Sequence, residues 1–366
     1  MTTVHDHTTA APPAPDRLGG NPRRSSGAKG HPGRPRTRRV LGLLAAVAAL
    51  VLVVLASIAV GAKPIPLPTV LDALLHYDPT QEDHLIVHSL RLPRTVLGLL
   101  VGVALGLAGA VMQGLTRNPL ADPGILGVSA GASLAVVMAI HLAGVATLQG
   151  YVWWAFAGAA VVSVAVYALG SLGREGATPV KLALAGAALT AFVGSITSAI
   201  LLIDVATLDQ YRFWAVGSLA GRDGAIVEQV LPFVVVGTVV ALGLGRTLNV
   251  LALGDDVARG LGQRIAVGRL LGALVVVLLV GGATAAAGPI GFVGLAVPHM
   301  ARALTGPDYR WVLAVSAVLA PTLLLGADVL GRVIARPGEV QVGLMTAALG
   351  APFFIALVRR RRLAEL

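Results

Sequence analysis

Apolar residues along this chain gather into blocks of about 20, and single charges, charged pairs or prolines separate the blocks. A helix rising 1.5 Å per residue needs about 20 residues to cross a hydrocarbon core. The gaps between charges can therefore be counted as crossings. Residues 40–62 lie between Arg39 and Lys63, 95–116 between Arg94 and Arg117, and 182–203 between Lys181 and Asp204, one crossing each. Residues 123–173 number 51, enough for two crossings joined near "HLAGVATLQGY". Blocks 229–245, 311–327 and 340–358 give three more, the shorter ones extending into their polar flanks. Residues 270–301 would make one helix of about 48 Å, too long for a single crossing, and Gly288-Pro289 with Gly291 and Gly294 offers the break. The pattern predicts an all-α polytopic membrane protein of ten transmembrane helices.

An even number of crossings places both termini on one face, and 21 of the 28 lysines and arginines then fall on that face. The positive-inside rule makes it the cytoplasmic one. Composition agrees, with 56% hydrophobic residues, 13% charged residues and a mean hydropathy of +0.82. Residues 1–39 are polar, end in "GRPRTRR" and read as a disordered cytoplasmic tail; 40–362 form the membrane domain and 363–366 a cytoplasmic end. The block at 40–62 is longer than the apolar part of a secretory signal and reads as an uncleaved anchor. Net charge is +10, but it sorts by membrane side with no interleaved aromatic platform, so a nucleic-acid partner is not expected. Cysteine is absent, which removes thiolate metal sites and thiol chemistry.

Helices in lipid associate through close packing, so small residues at helical spacing mark contacts. Gly102 and Gly106 form one such pair and Gly127 and Gly131 another; a glycine-lined path is the alternative reading. Between these pairs lies a proline-flanked loop, with Asn118-Pro119 and Asp122-Pro123 disfavouring helix before each proline. It is either a stiff connector or a cytoplasmic gate.

A second cytoplasmic loop, "LALGDDVARGLG", holds Leu251, Leu253, Gly254, Asp255, Asp256, Arg259, Gly260 and Gly262. Its acidic residues precede its basic one, as a short helix dipole favours, and the loop reads as a docking element or a solvated surface helix. On the outer face Arg91, Arg94 and Arg332 stand among acidic loops, either as interfacial arginines or as forks for a partner's carboxylates. No phosphate-binding G-x-x-x-x-G-K-[ST] is present, mid-span carboxylates are lacking, and His141 and His299 are the remaining ionisable candidates inside apolar blocks. An ion-coupled transporter would ordinarily carry intramembrane carboxylates and a membrane enzyme a catalytic cluster. The chain reads as a path driven from elsewhere, with no catalytic residue and no metal or cofactor bound by the chain itself.

The segments "RLPRTVLGLLVGVALGLAGAVMQGLTRNPLADPGILGVSAGAS", "FWAVGSLAGRD", "LALGDDVARGLG", "GPIGFVGLAVPHMARAL" and "GEVQVGLMTAALGAPFFIALV" resemble the FecCD family of ABC-importer permeases, over about residues 40–362. The resemblance implies the BtuC-like importer permease fold and a homodimer or heterodimer with a central path. It implies iron-siderophore, haem or vitamin B12 cargo. It further implies two cytoplasmic ATPase subunits engaging the loop Leu251 to Gly262, and an extracytoplasmic binding lipoprotein whose glutamates meet Arg91, Arg94 and Arg332. The expected location is the bacterial plasma membrane.

Overall fold

The computed structural model describes residues 36–172 and 178–364, all within one compact unit that begins at Arg34. Every regular element among the described residues is helical. The chain opens with α1 (Arg36–Ala59), then two short helices, α2 (Leu67–Leu75) and α3 (Glu82–Ile86), the latter running through a π-helical turn at Val87–Arg91 into α4 (Leu92–Thr116). A 3-10 turn at Pro123–Leu126 precedes α5 (Val128–Ala143), followed by α6 (Leu148–Gly170), α7 (Pro179–Ile203), α8 (Val205–Ala215) and α9 (Gly224–Gly243). Two loop helices, α10 (Gly245–Ala252) and α11 (Asp255–Gly260), lead to α12 (Ile265–Ala287), α13 (Val293–Thr305), α14 (Tyr309–Ile334) and α15 (Val342–Ala364).

Each of the ten predicted crossings holds a helix, and seven helices among the described residues are long and apolar enough to cross a membrane. The other three are shorter: α5 has 16 residues, α13 has 13, and the apolar part of α15 is Val342–Ala356. The break foreseen at Gly288-Pro289 is present. Gly288 has φ +76 and leaves no room for a side chain beside the Trp214 carbonyl, so a glycine is needed there to end α12. One boundary differs from the sequence reading: helix α1 starts at Arg36, inside the basic segment. Helix α14 extends into its polar flank as expected, passing through Asp328 and Arg332 to Ile334. The tail expected at 1–39 lies outside the described residues up to position 35, as do Arg174 and residues 365–366.

The hub is α4, 78% of whose apolar window is buried, with α12 at 72%; α7 at 17% and α1 at 11% form the rim. Helix α4 packs on α14, α12, α13 and α9. Its glycines make this possible. A Cβ on Gly102 would stand 2.6 Å from the Pro321 nitrogen, one on Gly106 2.8 Å from the Ser316 carbonyl, and one on Gly109 2.6 Å from the Gly294 Cα. Backbones this close gain dispersion contacts that lipid tails cannot match. Gly131 faces α6, where a Cβ would lie 2.7 Å from that of Val162. Gly127 has two tasks: it packs on Val162 and, with φ +69, turns the chain from the 3-10 turn into α5. The two glycine pairs are contacts between helices in this structure.

Candidate transport and coupling sites

At the N-terminal end of α4 the three arginines come together, facing inward. Arg91, 4% exposed, donates to the Ile58 carbonyl at 2.9 Å and to those of Ala59 and Lys63 at 2.7 Å. A guanidinium there satisfies carbonyls that the end of α1 leaves without intrahelical partners. Arg94 grips Asp328 with two nitrogens, at 3.0 and 2.8 Å, and Glu339 at 2.7 Å. Arg332, 1% exposed, donates to Asp328 at 2.6 Å and to the Ser57 and Val60 carbonyls at 2.9 and 2.8 Å. Asp328 has no exposed surface and accepts from both arginines. In this structure these guanidiniums are engaged by the chain's own carbonyls and carboxylates, and they fasten the ends of α1, α4 and α14 to one another. Such a cluster is affordable away from water because each charge is paired and hydrogen-bonded.

At the C-terminal end of α4 the loop helix α11 is tied by one carboxylate and by buried Ala258. Gly254 and Gly262, with φ +108 and +76, turn the chain into and out of it. Asp255 at its first residue is held by Arg269 at 3.0 Å and by the guanidinium of Arg117. Arg117 caps α4 with φ 51, a left-handed conformation that costs a non-glycine residue about 1–2 kcal/mol. Its side chain also donates to the Leu251 carbonyl at 2.8 Å, so tertiary contacts hold the backbone there. Burial lowers the Arg117 pKa from its ordinary value. Asp256 and Arg259 pair at 2.8 Å in solvent, 99% and 63% exposed, which is worth little. Leu251 is buried with Ala258 and Ile265 in a small core against Leu115, so it anchors the loop from within. Leu253, Val257 and Leu261 are all half exposed or more. Val257 lies on α11 and Leu253 and Leu261 flank it at a spacing of four residues, a signal present in the sequence but masked by the charges between them. Exposed apolar residues gathered on one loop mark a contact surface.

The hinge joins these parts. Arg117 leads into Asn118, whose side-chain oxygen accepts from the Leu120 amide at 2.9 Å, and Pro119; Asp122 accepts from the Gly124 amide at 2.8 Å ahead of Pro123. Both are side-chain turns that stiffen the loop. Burial raises the Asp122 pKa above the ordinary carboxylate value. Asp122 and Pro123 line a cavity of about 30 Å³ with Ser129, Thr284 and Ile290, between the hinge and the start of α13. Gln113 of α4 donates to the Leu295 carbonyl at 3.2 Å and accepts from Arg302. The first hinge loop thus touches the loop helix on one side and α13 on the other. Of the two histidines, His141 sits at the end of α5 and bonds Asp204, the cap of α8, at 2.7 Å, while His299 lies edge-on to Phe353.

Comparison with known proteins places this geometry. The model of the FecCD transport family matches residues 49–360. The ferric enterobactin transport system permease protein of Escherichia coli (strain K12) is 50% identical over 305 residues, covering 83% of this chain and 91% of that protein. The iron(3+)-hydroxamate import system permease protein of Bacillus subtilis (strain 168) is 46% identical over 307 residues, covering 84% and 79%. A solved metal-chelate type ABC transporter in an inward-facing conformation superposes with a TM-score of 0.77 at 28% identity, covering 87% of this chain and 98% of that one.

Proposed function

Because the chain belongs to the FecCD transport family, we propose that it is the membrane-spanning permease subunit of an ATP-driven importer whose cargo is a ferric siderophore complex. The observation that carries this reading is the inner loop: Val257 of α11 and its flanking Leu253 and Leu261 are exposed, while Asp255 ties α11 to the hinge of α4. Work done on that loop by a separate ATPase is passed to Arg117 and the 117–127 turn, and from there to α13. In this reading the ten helices each cross the membrane, with α5, α13 and α15 short because protein, rather than lipid, surrounds part of them. Both termini are cytoplasmic, and two such subunits enclose the path, the little-buried α7 being available to a second copy. An extracytoplasmic lipoprotein delivers cargo to the outer face. Arg91, Arg94 and Arg332 serve docking by fixing the helix ends that the lipoprotein meets.

Alternating access then needs no cofactor on this chain. Closure of the ATPase pair moves the two loop helices, and the fastened outer ends make the inner gate the part that yields. Proteoliposomes holding the permease, its ATPase and its binding protein test the proposal: uptake of a ferric siderophore should require hydrolysable ATP. Uptake that continues without the ATPase and collapses with an ion gradient would replace it with secondary transport.

A further inference from the structure

Two outer cavities, of about 350 and 390 Å³, share Ala220 and Arg222 in the turn between α8 and α9. Tyr151, Gln210 and Trp214 line the first; Lys63, Arg91 and Glu339 line the second. Arg222 is 5% exposed, and its one hydrogen bond within the described residues runs from Nε to the Ser218 carbonyl at 3.3 Å. The carboxylates nearby are occupied. Asp223 caps the Ile226 amide at 3.2 Å and accepts from Gln149 at 2.6 Å, and Glu339 is held by Arg94. Arg91 adds a second buried cation whose hydrogen bonds go to carbonyls alone. The indole N–H of Trp214, in the first cavity, is also buried without an acceptor among the described residues. Burial lowers the Arg222 pKa to about 10, so the group stays charged at neutral pH with no anion to offset it.

A desolvated guanidinium with no counter-charge is costly in the empty site, and that cost falls when an oxyanion enters, because the planar fork takes two oxygens at once. We propose that Arg222, with Trp214 beside it, is the anion contact of an outer vestibule that receives an oxyanion of the chelate, so that the importer prefers negatively charged ferric chelates to uncharged ones. This rests on the importer reading above and adds the charge class of the cargo. The surrounding basic residues raise the local concentration of such a chelate before it is gripped.

The test is equilibrium binding of radiolabelled ferric citrate and of an uncharged ferric trihydroxamate to the full chain in lipid nanodiscs. Ferric citrate should bind the wild type at least about tenfold more tightly, Arg222→Gln should remove that preference, and Arg222→Lys should keep part of it, since the charge remains and the fork is lost. Trihydroxamate binding should not change. In the wild type, where folding is not in question, raising salt should weaken citrate binding and spare the trihydroxamate. Equal citrate binding by wild type and Arg222→Gln, or equal loss of both chelates, would each overturn the assignment. ATP dependence of uptake by the wild-type importer is read separately, and its failure would sink the importer reading whatever Arg222 does.

Discussion

The two ends of α4 handle charge in opposite ways. At its N-terminal end, Arg94, Arg332 and Asp328 are buried together and each is met by more than one partner, so the ends of α1, α4 and α14 move as one piece. At its C-terminal end, α11 is tied by the carboxylate of Asp255 and by buried Ala258, and its other ion pair, Asp256 with Arg259, lies in solvent. A buried, fully paired cluster loses much when one member goes, whereas exposed pairs break at little cost. The difference teaches where motion is cheap: at the α11 loop and its hinge, with the arginine-clamped scaffold as the fixed frame.

The contrast can be broken from the arginine-clamped end first. Asp328→Ala leaves two buried guanidiniums without their shared carboxylate and should destabilise the fold by about 3–5 kcal/mol, read as a large fall in melting temperature in detergent. A loss below about 1 kcal/mol would mean that the arginine cluster locks nothing. Gly102→Val forces a branched side chain against Pro321 and should cost about 1–3 kcal/mol by the same measurement. A smaller effect comes from pH. Asp308 caps α14 with bonds to Arg310 and Asn249 that lower its pKa to about 2. Because the folded-state pKa is depressed, this cap contributes fully above roughly pH 4 and is lost as pH falls toward about 2. Melting scans should show wild type losing more stability than Asp308→Asn across that window. Gly260→Ala should change stability least, since nothing lies within 4 Å of the added carbon and alanine favours helix by about 1 kcal/mol. A large loss there would show that α11 is packed more tightly than its exposure implies.

Much of this architecture was legible because a bilayer imposes one length scale on apolar segments. Ten apolar helical segments could be counted, and Gly288-Pro289 marked its break, since only a glycine tolerates that conformation against Trp214. Block 311–327 runs on into its polar flank, as its short length required, and Asp328 is paired there by Arg332 four residues on and by Arg94, 234 positions away. Pairings at such separation leave no local pattern. The same holds for Arg222, whose surroundings come from turns and helix ends spread along the chain, and for Arg117, which read as an ordinary loop cation until its link to Asp255 was seen. Val257 and Leu261 were readable at helical spacing, but the acidic pair and Arg259 drew the reading toward charge.

The central claim is that α11 passes work from a separate ATPase to the hinge through Asp255. In proteoliposomes carrying the complete importer, ATP hydrolysis and chelate uptake should be measured together for wild type and Asp255→Ala. The account predicts that the variant still hydrolyses ATP while uptake per ATP falls by about tenfold or more, with stability changed by less than about 1 kcal/mol. Uptake per ATP equal to that of the wild type would contradict it.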